Sequence, residues 1–166
     1  MFREMRRTRQ ALPPEEISAV LERGTSGVLA LAGDDGYPYA VPISYVYDGE
    51  RIYFHSARAG HKLDAVRREP KASFCVIDQD QIVPAEYTTY FRSVIAFGTA
   101  RELEDPWEKR QALEALAAKY SPEQEAGRKE EIRAQFANVA MVELTVEHMT
   151  GKEAIELVRQ KNSSTL

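Results

Sequence analysis

A loop of small residues leads into a predicted helix at residues 56–62, where the chain reads Ser-Ala-Arg-Ala-Gly-His-Lys. The exposed N–H groups and the dipole at the start of such a helix attract anions, and the ammonium of Lys62 adds a full positive charge. The hydroxyl of Ser56, at the end of the preceding strand, is within reach of the same anion. The segment therefore predicts a phosphate site, with a plain solvent-exposed helix start as the alternative.

His55 stands beside this loop, near the end of a predicted strand over residues 51–56. Because side chains alternate along a strand, His55 lies opposite Ile52 and Phe54, on the outer face if the strand belongs to a barrel. An imidazole titrates near neutral pH, so it can donate a proton to a substrate or bind a polar group. The other interpretation is a histidine that only packs against its neighbours.

Pro42 interrupts an apolar and aromatic stretch over residues 37–47. Proline has no N–H to give to a neighbouring strand, so Pro42 must lie at a sheet edge or a bulge. Unpaired main-chain groups there can bind the rim of a flat heteroaromatic ligand, although an ordinary edge strand blunted by proline explains the same residue. Both faces of the stretch are apolar, and one small barrel covers only one of them, which predicts a homodimer.

The surrounding periodicity predicts the elements that must position these residues. Helices are expected from Pro14 to Gly24 and at residues 61–68, 105–120 and 152–159. Six strands are expected at residues 27–32, 37–47, 51–56, 71–78, 92–103 and 140–149, with a loop at 79–91 and a solvated helix or loop at 121–134. Strands joined mostly by hairpins favour a mainly β (α+β) antiparallel barrel with flanking helices over a βαβ sheet.

Composition limits the classes of function. The chain has 166 residues with 22 Lys plus Arg against 26 Asp plus Glu, a net charge of -4, which argues against nucleic acid as the partner. No apolar run approaches the ~20 residues that span a bilayer, and the N-terminus lacks the apolar segment of a signal peptide, so we expect a cytoplasmic protein without a membrane partner. The one cysteine, Cys75, excludes an internal disulfide or a cysteine-rich zinc site, and no metal-binding motif is present.

The length suits one domain, predicted over residues 14–160. A basic arm at residues 1–13 precedes it, and a polar tail at residues 161–166 follows it.

Several motifs in order resemble one known family. The run GYPYAVPISYVYDGERIYFHSARAGHKLDAV, then ASFCV, YFRSVIAFGTA and TGKEAI, is similar to the FMN-binding split barrels related to pyridoxamine 5'-phosphate oxidase, and most similar to their nitroimidazole-resistance-related branch. The resemblance covers roughly residues 5–157. It implies a six-stranded Greek-key split barrel that forms homodimers, with FMN bound in clefts between the subunits.

The resemblance also assigns site residues. The flavin ring would be lined by four consecutive residues, Val41, Pro42, Ile43 and Ser44. His55 and Ser56 would lie beside the ring and the phosphate of FMN. His61 and Lys62 would form the basic pair that binds this phosphate. Arg92 and Ser93 would reach the flavin from the second subunit. In the nitroimidazole-resistance-related branch, the position of His55 carries a histidine on the substrate side of the flavin, which makes His55 the predicted catalytic residue.

Two departures bear on the substrate. Relatives that oxidise pyridoxamine phosphate carry an arginine where Ala40 stands, and basic motifs near the C-terminus that are absent here, so vitamin B6 oxidation is not expected. The leading hypothesis is an FMN-dependent oxidoreductase that passes hydride or electrons from a reduced nicotinamide to a small acceptor such as a nitroaromatic. The alternatives are a flavin- or haem-binding protein without turnover, with His55 or His61 as a haem ligand, and a structural dimer with an empty cleft. Because related barrels accept other flat cofactors, a deazaflavin in place of FMN is also left open.

Overall fold

The computed structural model describes residues 1–164 and contains seven strands and five α-helices within them. The strands are β1 (Gly27–Ala32), β2 (Pro38–Ile43), β3 (Val46–Tyr47), β4 (Arg51–Ala57), β5 (Lys71–Val83), β6 (Thr88–Glu102) and β7 (Val139–Glu153). The helices are α1 (Pro14–Arg23), α2 (His61–Arg68), α3 (Pro106–Tyr120), α4 (Glu125–Gln135) and α5 (Ile155–Ser164). Over residues 1–164, none of these helices has both the length and the apolar character needed to cross a membrane.

The strands form one antiparallel sheet in the order β2-β1-β5-β6-β7-β4-β3. Its two end strands, β2 and β3, are consecutive in the chain and are joined by only Ser44 and Tyr45. The sheet must therefore curl until its two edges meet at that connection. This is an α+β fold of the split-barrel type, and it confirms the predicted antiparallel barrel with flanking helices.

The strand predicted over residues 37–47 is two strands, which raises the strand count from six to seven. β2 pairs with β1, whereas β3 pairs with β4 at the other end of the sheet. The chain bends at Tyr45, whose buried side chain donates a hydrogen bond from Oη to the carbonyl of Leu21 at 2.7 Å. The N–H and carbonyl of Tyr45 bond to the hydroxyl of Tyr120 instead of a strand, both at 2.9 Å.

The interior of the barrel is filled by apolar side chains from paired positions of neighbouring strands. Leu29 pairs with Phe74, and Phe74 pairs with Ala96, and all three are fully buried. Gly98 marks a register shift between β6 and β7. A Cβ at Gly98 would lie 2.0 Å from the carbonyl oxygen of Thr145, so only glycine fits this close approach.

β5 and β6 are longer than predicted, since most of the expected loop at residues 79–91 is strand. The two strands continue past the barrel as a paired ribbon that reaches Val83 and Thr88, closed by a turn in which Tyr87 has a φ of +50°. Polar residues such as Gln79 and Gln81 led to the prediction of a loop. The hydrogen bonds between paired strands satisfy the backbone whatever the side chains are, so these residues can still form a strand.

The C-terminal boundaries also differ from the prediction. The helix expected at 152–159 begins only at Ile155, because Lys152 still pairs with Ser93 in β6 and forms a bridge to Ala11 in the arm. Helix α5 then runs through residues 161–164 of the predicted polar tail, whose residues 165 and 166 lie outside the described residues. Of the helix-or-loop alternatives at residues 121–134, the chain adopts the helix α4.

Candidate functional site

The two edges of the sheet do not pair with each other along their length, and the gap between them is the candidate site. β2 pairs with β1 on one side and, among the described residues, with no strand on the other. β4 pairs with β3 only through Ile52 and Tyr53. A continued ladder would set Ser44 against His55, but the pairing stops at Tyr53. This gap between β2 and β4 is named the split, and its two edges are its lips.

The first lip carries the four residues predicted to line a flavin ring. Val41 and Ile43 are half-buried and pack against the barrel core, whereas Pro42 and Ser44 are exposed on the outer side. The edge position predicted for Pro42 is confirmed by the strand order. Main-chain groups of this lip that point away from β1 are not used by the sheet, so they can bind a ligand in the split.

The second lip carries His55 and Ser56. His55 is exposed on the outer face of β4, opposite the buried Ile52 and Phe54, as the alternation predicted. Its imidazole has no hydrogen-bond or ion-pair partner among residues 1–164. Ser56 points the other way and is buried beside Ala140 of β7, its partner in the sheet. The two adjacent residues therefore face opposite sides of the barrel wall.

The start of α2 lies beside β2, the strand that forms the first lip of the split. Gly60 adopts a φ of +126°, a conformation that side chains other than glycine rarely take, and it directs the chain into the helix at His61. The imidazole of His61 stacks on the ring of Tyr39 in β2, with ring centroids 4.0 Å apart. Its Nε2 lies 3.6 Å from Oδ2 of Asp34. These contacts fix the helix start against the first lip.

Lys62 is the residue of this helix start with a free charge. It is half-buried, and burial lowers the pKa of its ammonium below the ordinary lysine value. Within residues 1–164 the structure gives the ammonium no carboxylate or hydrogen-bond partner. A partly desolvated cation without a counter-charge is unfavourable on its own and suits an anionic ligand.

A cavity of about 420 Å³ opens on the outer side of the second lip, between β4 and the helices α3 and α4. It is named the helix pocket. It is lined by Ser44, His55, Leu113, Leu116, Ala117, Tyr120, Glu131, Ile132, Gln135 and Val139. Because Ser44 and His55 belong to both, the helix pocket is continuous with the split.

Tyr120 is a site residue that the sequence analysis missed. Its hydroxyl accepts from the N–H of Tyr45 and lies within hydrogen-bond distance of the carbonyl oxygens of Tyr45 and Thr25. These contacts hold the connection that closes the barrel at one end of the split. No local signal marks the residue, because Tyr45 and Thr25 are 75 and 95 positions away.

Arg92 and Ser93 are not brought to the split within one subunit. They lie on β6, which is separated from β2 by β1 and β5. The guanidinium of Arg92 is shared between Asp78 at 3.1 Å and Glu153 at 3.0 Å, both largely buried carboxylates. Ser93 pairs with Lys152 on the other side. The predicted role of these two residues across a subunit interface stays a prediction.

Comparison with known proteins identifies the family. A sequence model of the family described as pyridoxamine 5'-phosphate oxidase matches residues 13–153. The chain belongs to this family. The match confirms the resemblance read from the sequence motifs. The family match begins just before α1 and ends with β7, so it includes both lips, the α2 start and the helix pocket.

A curated relative of this family member is an uncharacterized protein from Rhizobium meliloti (strain 1021), 36% identical over 89 residues. The aligned region is 54% of either chain, so the present chain spans about half the length of this relative.

Solved structures share the fold of this pyridoxamine 5'-phosphate oxidase family member. A candidate 5-nitroimidazole antibiotic resistance protein from Bacteroides thetaiotaomicron VPI-5482 has a TM-score of 0.70 at 22% identity, covering 86% of both chains. The flavocytochrome Anf3 from Azotobacter vinelandii has a TM-score of 0.76 at 21% identity, covering 91% of this chain and 72% of the other. A FAD and heme binding protein from Mycobacterium smegmatis has a TM-score of 0.72 at 24% identity, covering 88% and 73%.

Proposed function

We propose that the chain binds FMN in the split and uses it to oxidise or reduce a small molecule. The observation that carries this proposal is the split itself, whose lips offer unpaired main-chain edges. The start of α2 lies beside the first lip, and the ammonium of Lys62 there has no partner among the described residues. An isoalloxazine ring is flat and has hydrogen-bond donors and acceptors along its rim, so it suits two facing strand edges. The flavin, when bound, supplies hydride and electron transfer.

The start of α2 would hold the phosphate of FMN. Lys62 would give its ammonium to the phosphate, and the first N–H groups of the helix would donate hydrogen bonds to the same oxygens. His61 would border the phosphate, and its contacts with Tyr39 and Asp34 would keep its imidazole in a fixed position. Because Ser56 is buried on the inner face, its main chain rather than its hydroxyl is the group best placed to contact the ligand.

His55 would act on the substrate side. Its imidazole is exposed, has no partner in the described part of the chain, and borders both the split and the helix pocket. It would donate a proton to a substrate as that substrate is reduced, or hold a polar group of the substrate in place.

We also propose that two copies associate through the outer face of the sheet. Pro42, Val28, Cys75 and Ile95 lie side by side in register on four neighbouring strands of that face. Val28 and Ile95 are 37% and 38% exposed, which leaves this row of apolar side chains open to water in one subunit. Covering it with a second copy would bury the row and bring Ser93, two residues before Ile95, close to the partner.

The substrate proposed here is not a pyridoxamine phosphate. A phosphate ester needs a cation, and within residues 1–164 neither a lysine nor an arginine lines the helix pocket beside His55. Ala40, where phosphate-oxidising relatives carry an arginine, supports the same conclusion.

A haem-binding function is the second candidate, and it is favoured by the setting of His55. An imidazole without a partner on the wall of a largely apolar cavity is what an axial haem ligand requires. The names of two structurally similar proteins, the flavocytochrome and the FAD and heme binding protein, point to this possibility.

An absorption spectrum of the purified protein, followed by chromatography of the released cofactor, tests these functions. Flavin bands with FMN in the extract support the proposal, while FAD in the extract would keep flavin chemistry and overturn the choice of FMN. A Soret band that is lost in His55→Gln would favour the haem function. If neither cofactor is present or binds on titration, both the flavin and the haem functions are refuted, and the structural dimer with an empty cleft becomes the favoured alternative. Light scattering at micromolar concentration tests the dimer, and a monomer near 18.8 kDa would refute it.

A further inference from the structure

The helix pocket gives the proposed oxidoreductase a substrate class. We propose that it binds the body of a small, electrically neutral aromatic molecule, whose reacting group faces Ser44 and His55. Calling this molecule a substrate rests on the proposed function. Its binding does not, because the cavity and its walls exist without a cofactor.

The walls and volume of the helix pocket favour an aromatic body. Five of its lining side chains are apolar and come from three elements, namely Leu113, Leu116 and Ala117 on α3, Ile132 on α4 and Val139 on β7. A volume of about 420 Å³ lies in the range of pockets that enclose small ligands. Burying a ring against these walls removes apolar surface from water on both sides.

The charges around the helix pocket select against anions. Among the described residues that line it, Glu131 is the only carboxylate and none is a lysine or an arginine. An anionic substrate would lose its hydration here and meet a like charge without a compensating cation. A neutral molecule avoids this cost.

The polar groups of the helix pocket also orient the ligand. The hydroxyl of Tyr120 is already bound to Tyr45 and Thr25, and Gln135 accepts a hydrogen bond from Asn138 at 3.4 Å. Ser44, His55 and Glu131 have no such partners within residues 1–164, but Glu131 lies on α4 and is exposed, whereas Ser44 and His55 lie at the side of the split. A substrate with one polar group therefore lies with its ring toward α3 and α4 and its polar group toward the proposed flavin.

Two probes with the same ring test the charge preference. 1-Naphthylmethanol is neutral and 1-naphthoate is an anion, and the binding of each to the purified protein is measured by equilibrium dialysis at pH 7.5. We expect one molecule of 1-naphthylmethanol per chain, bound at least about tenfold more tightly than 1-naphthoate. Equal binding of the two probes, or no saturable binding of the alcohol, would overturn the proposal.

Two variants locate the binding. Ala117→Trp fills the helix pocket and should weaken 1-naphthylmethanol at least about tenfold, whereas Ala115→Trp, an exposed position on the same helix that does not line it, should change binding less than about twofold. Glu131→Lys places a cation at the rim and should strengthen 1-naphthoate at least about tenfold. Glu130→Lys, its exposed neighbour, is the control. The proposal fails if neither Ala117→Trp nor Glu131→Lys differs from its control.

A parallel titration with FMN, followed by its absorbance, separates this proposal from the proposed function. If 1-naphthylmethanol binds as expected and FMN does not, the helix pocket stands and the flavin function falls. If FMN binds and the alcohol does not, the proposed flavin function stands and the inference about the helix pocket is overturned. If added haem binds the protein and displaces 1-naphthylmethanol, the helix pocket is a haem site and this inference is overturned.

Discussion

Replacing Lys62 by methionine should weaken FMN far more than riboflavin. Methionine keeps an unbranched, half-buried side chain but removes the charge, so the packing beside α2 is little changed. The ammonium is partly desolvated and has no protein partner among residues 1–164, so its interaction with a phosphate is not divided with another acid. A charge-assisted contact of this kind contributes about 1.5–3 kcal/mol, which corresponds to an affinity loss of about 10- to 100-fold.

The assay is a fluorescence titration of the flavin-free protein with FMN and with riboflavin. Riboflavin lacks the phosphate, so its affinity should change less than about twofold in Lys62→Met. Lys71→Met is the matched control, because Lys71 is an exposed lysine whose ammonium already pairs with Glu147 at 2.7 Å. Equal losses for FMN and riboflavin would refute the reasoning, since Lys62 would then support the fold and not the phosphate.

The lowered pKa of Lys62 adds a pH dependence to the same experiment. An ammonium whose pKa lies below 10.5 loses its proton earlier as the pH rises, so the affinity of the flavin-free protein for FMN should begin to fall at a lower pH than an ordinary lysine would give. Affinities measured between pH 7 and pH 10 should show this decline in the parent protein and not in Lys62→Met. A parallel decline in both proteins would assign the titration to another group.

Three further predictions follow from named contacts. His55→Gln should leave FMN affinity within a few fold and slow the re-oxidation of bound flavin by a substrate at least about 100-fold in stopped-flow absorbance; a loss of FMN with normal turnover per bound flavin would show a binding role instead. Tyr120→Phe removes the hydroxyl that binds Tyr45, so urea unfolding should show a loss of about 1–3 kcal/mol, and an unchanged midpoint would contradict the role given to this contact. The hydrogen bond from Arg23 lowers the pKa of Asp78, so Asp78 stabilises the folded state above its ordinary pKa and loses this effect as the pH falls through the lowered one. The stability difference between the parent and Asp78→Asn should therefore shrink from pH 6 toward pH 2.5 in urea titrations, and a constant difference would refute it.

Local signals in the sequence determined the elements that carry the best-defined part of the site. The structure gives β1 and α2 the predicted bounds, residues 27–32 and 61–68. Gly60, which has a positive φ, precedes α2, and Pro70 follows it. Both residues restrict the backbone of their immediate neighbours. The alternation along β4 likewise placed His55 on the outer face without knowledge of the rest of the chain.

Tertiary contacts alone decided the split and the helix pocket. The second predicted strand breaks at Tyr45 because Tyr120, 75 positions later, takes the hydrogen bonds that a continuous strand would have used. The helix pocket exists because α3 packs over the outer face of β4 and α4 packs on α3, and the apolar residues that line the pocket have, in the sequence, the pattern of an ordinary helix core. Hydrophobic pattern and turn chemistry act over a few residues, whereas a cavity depends on which distant surfaces meet, and that is set by the packing of the whole chain.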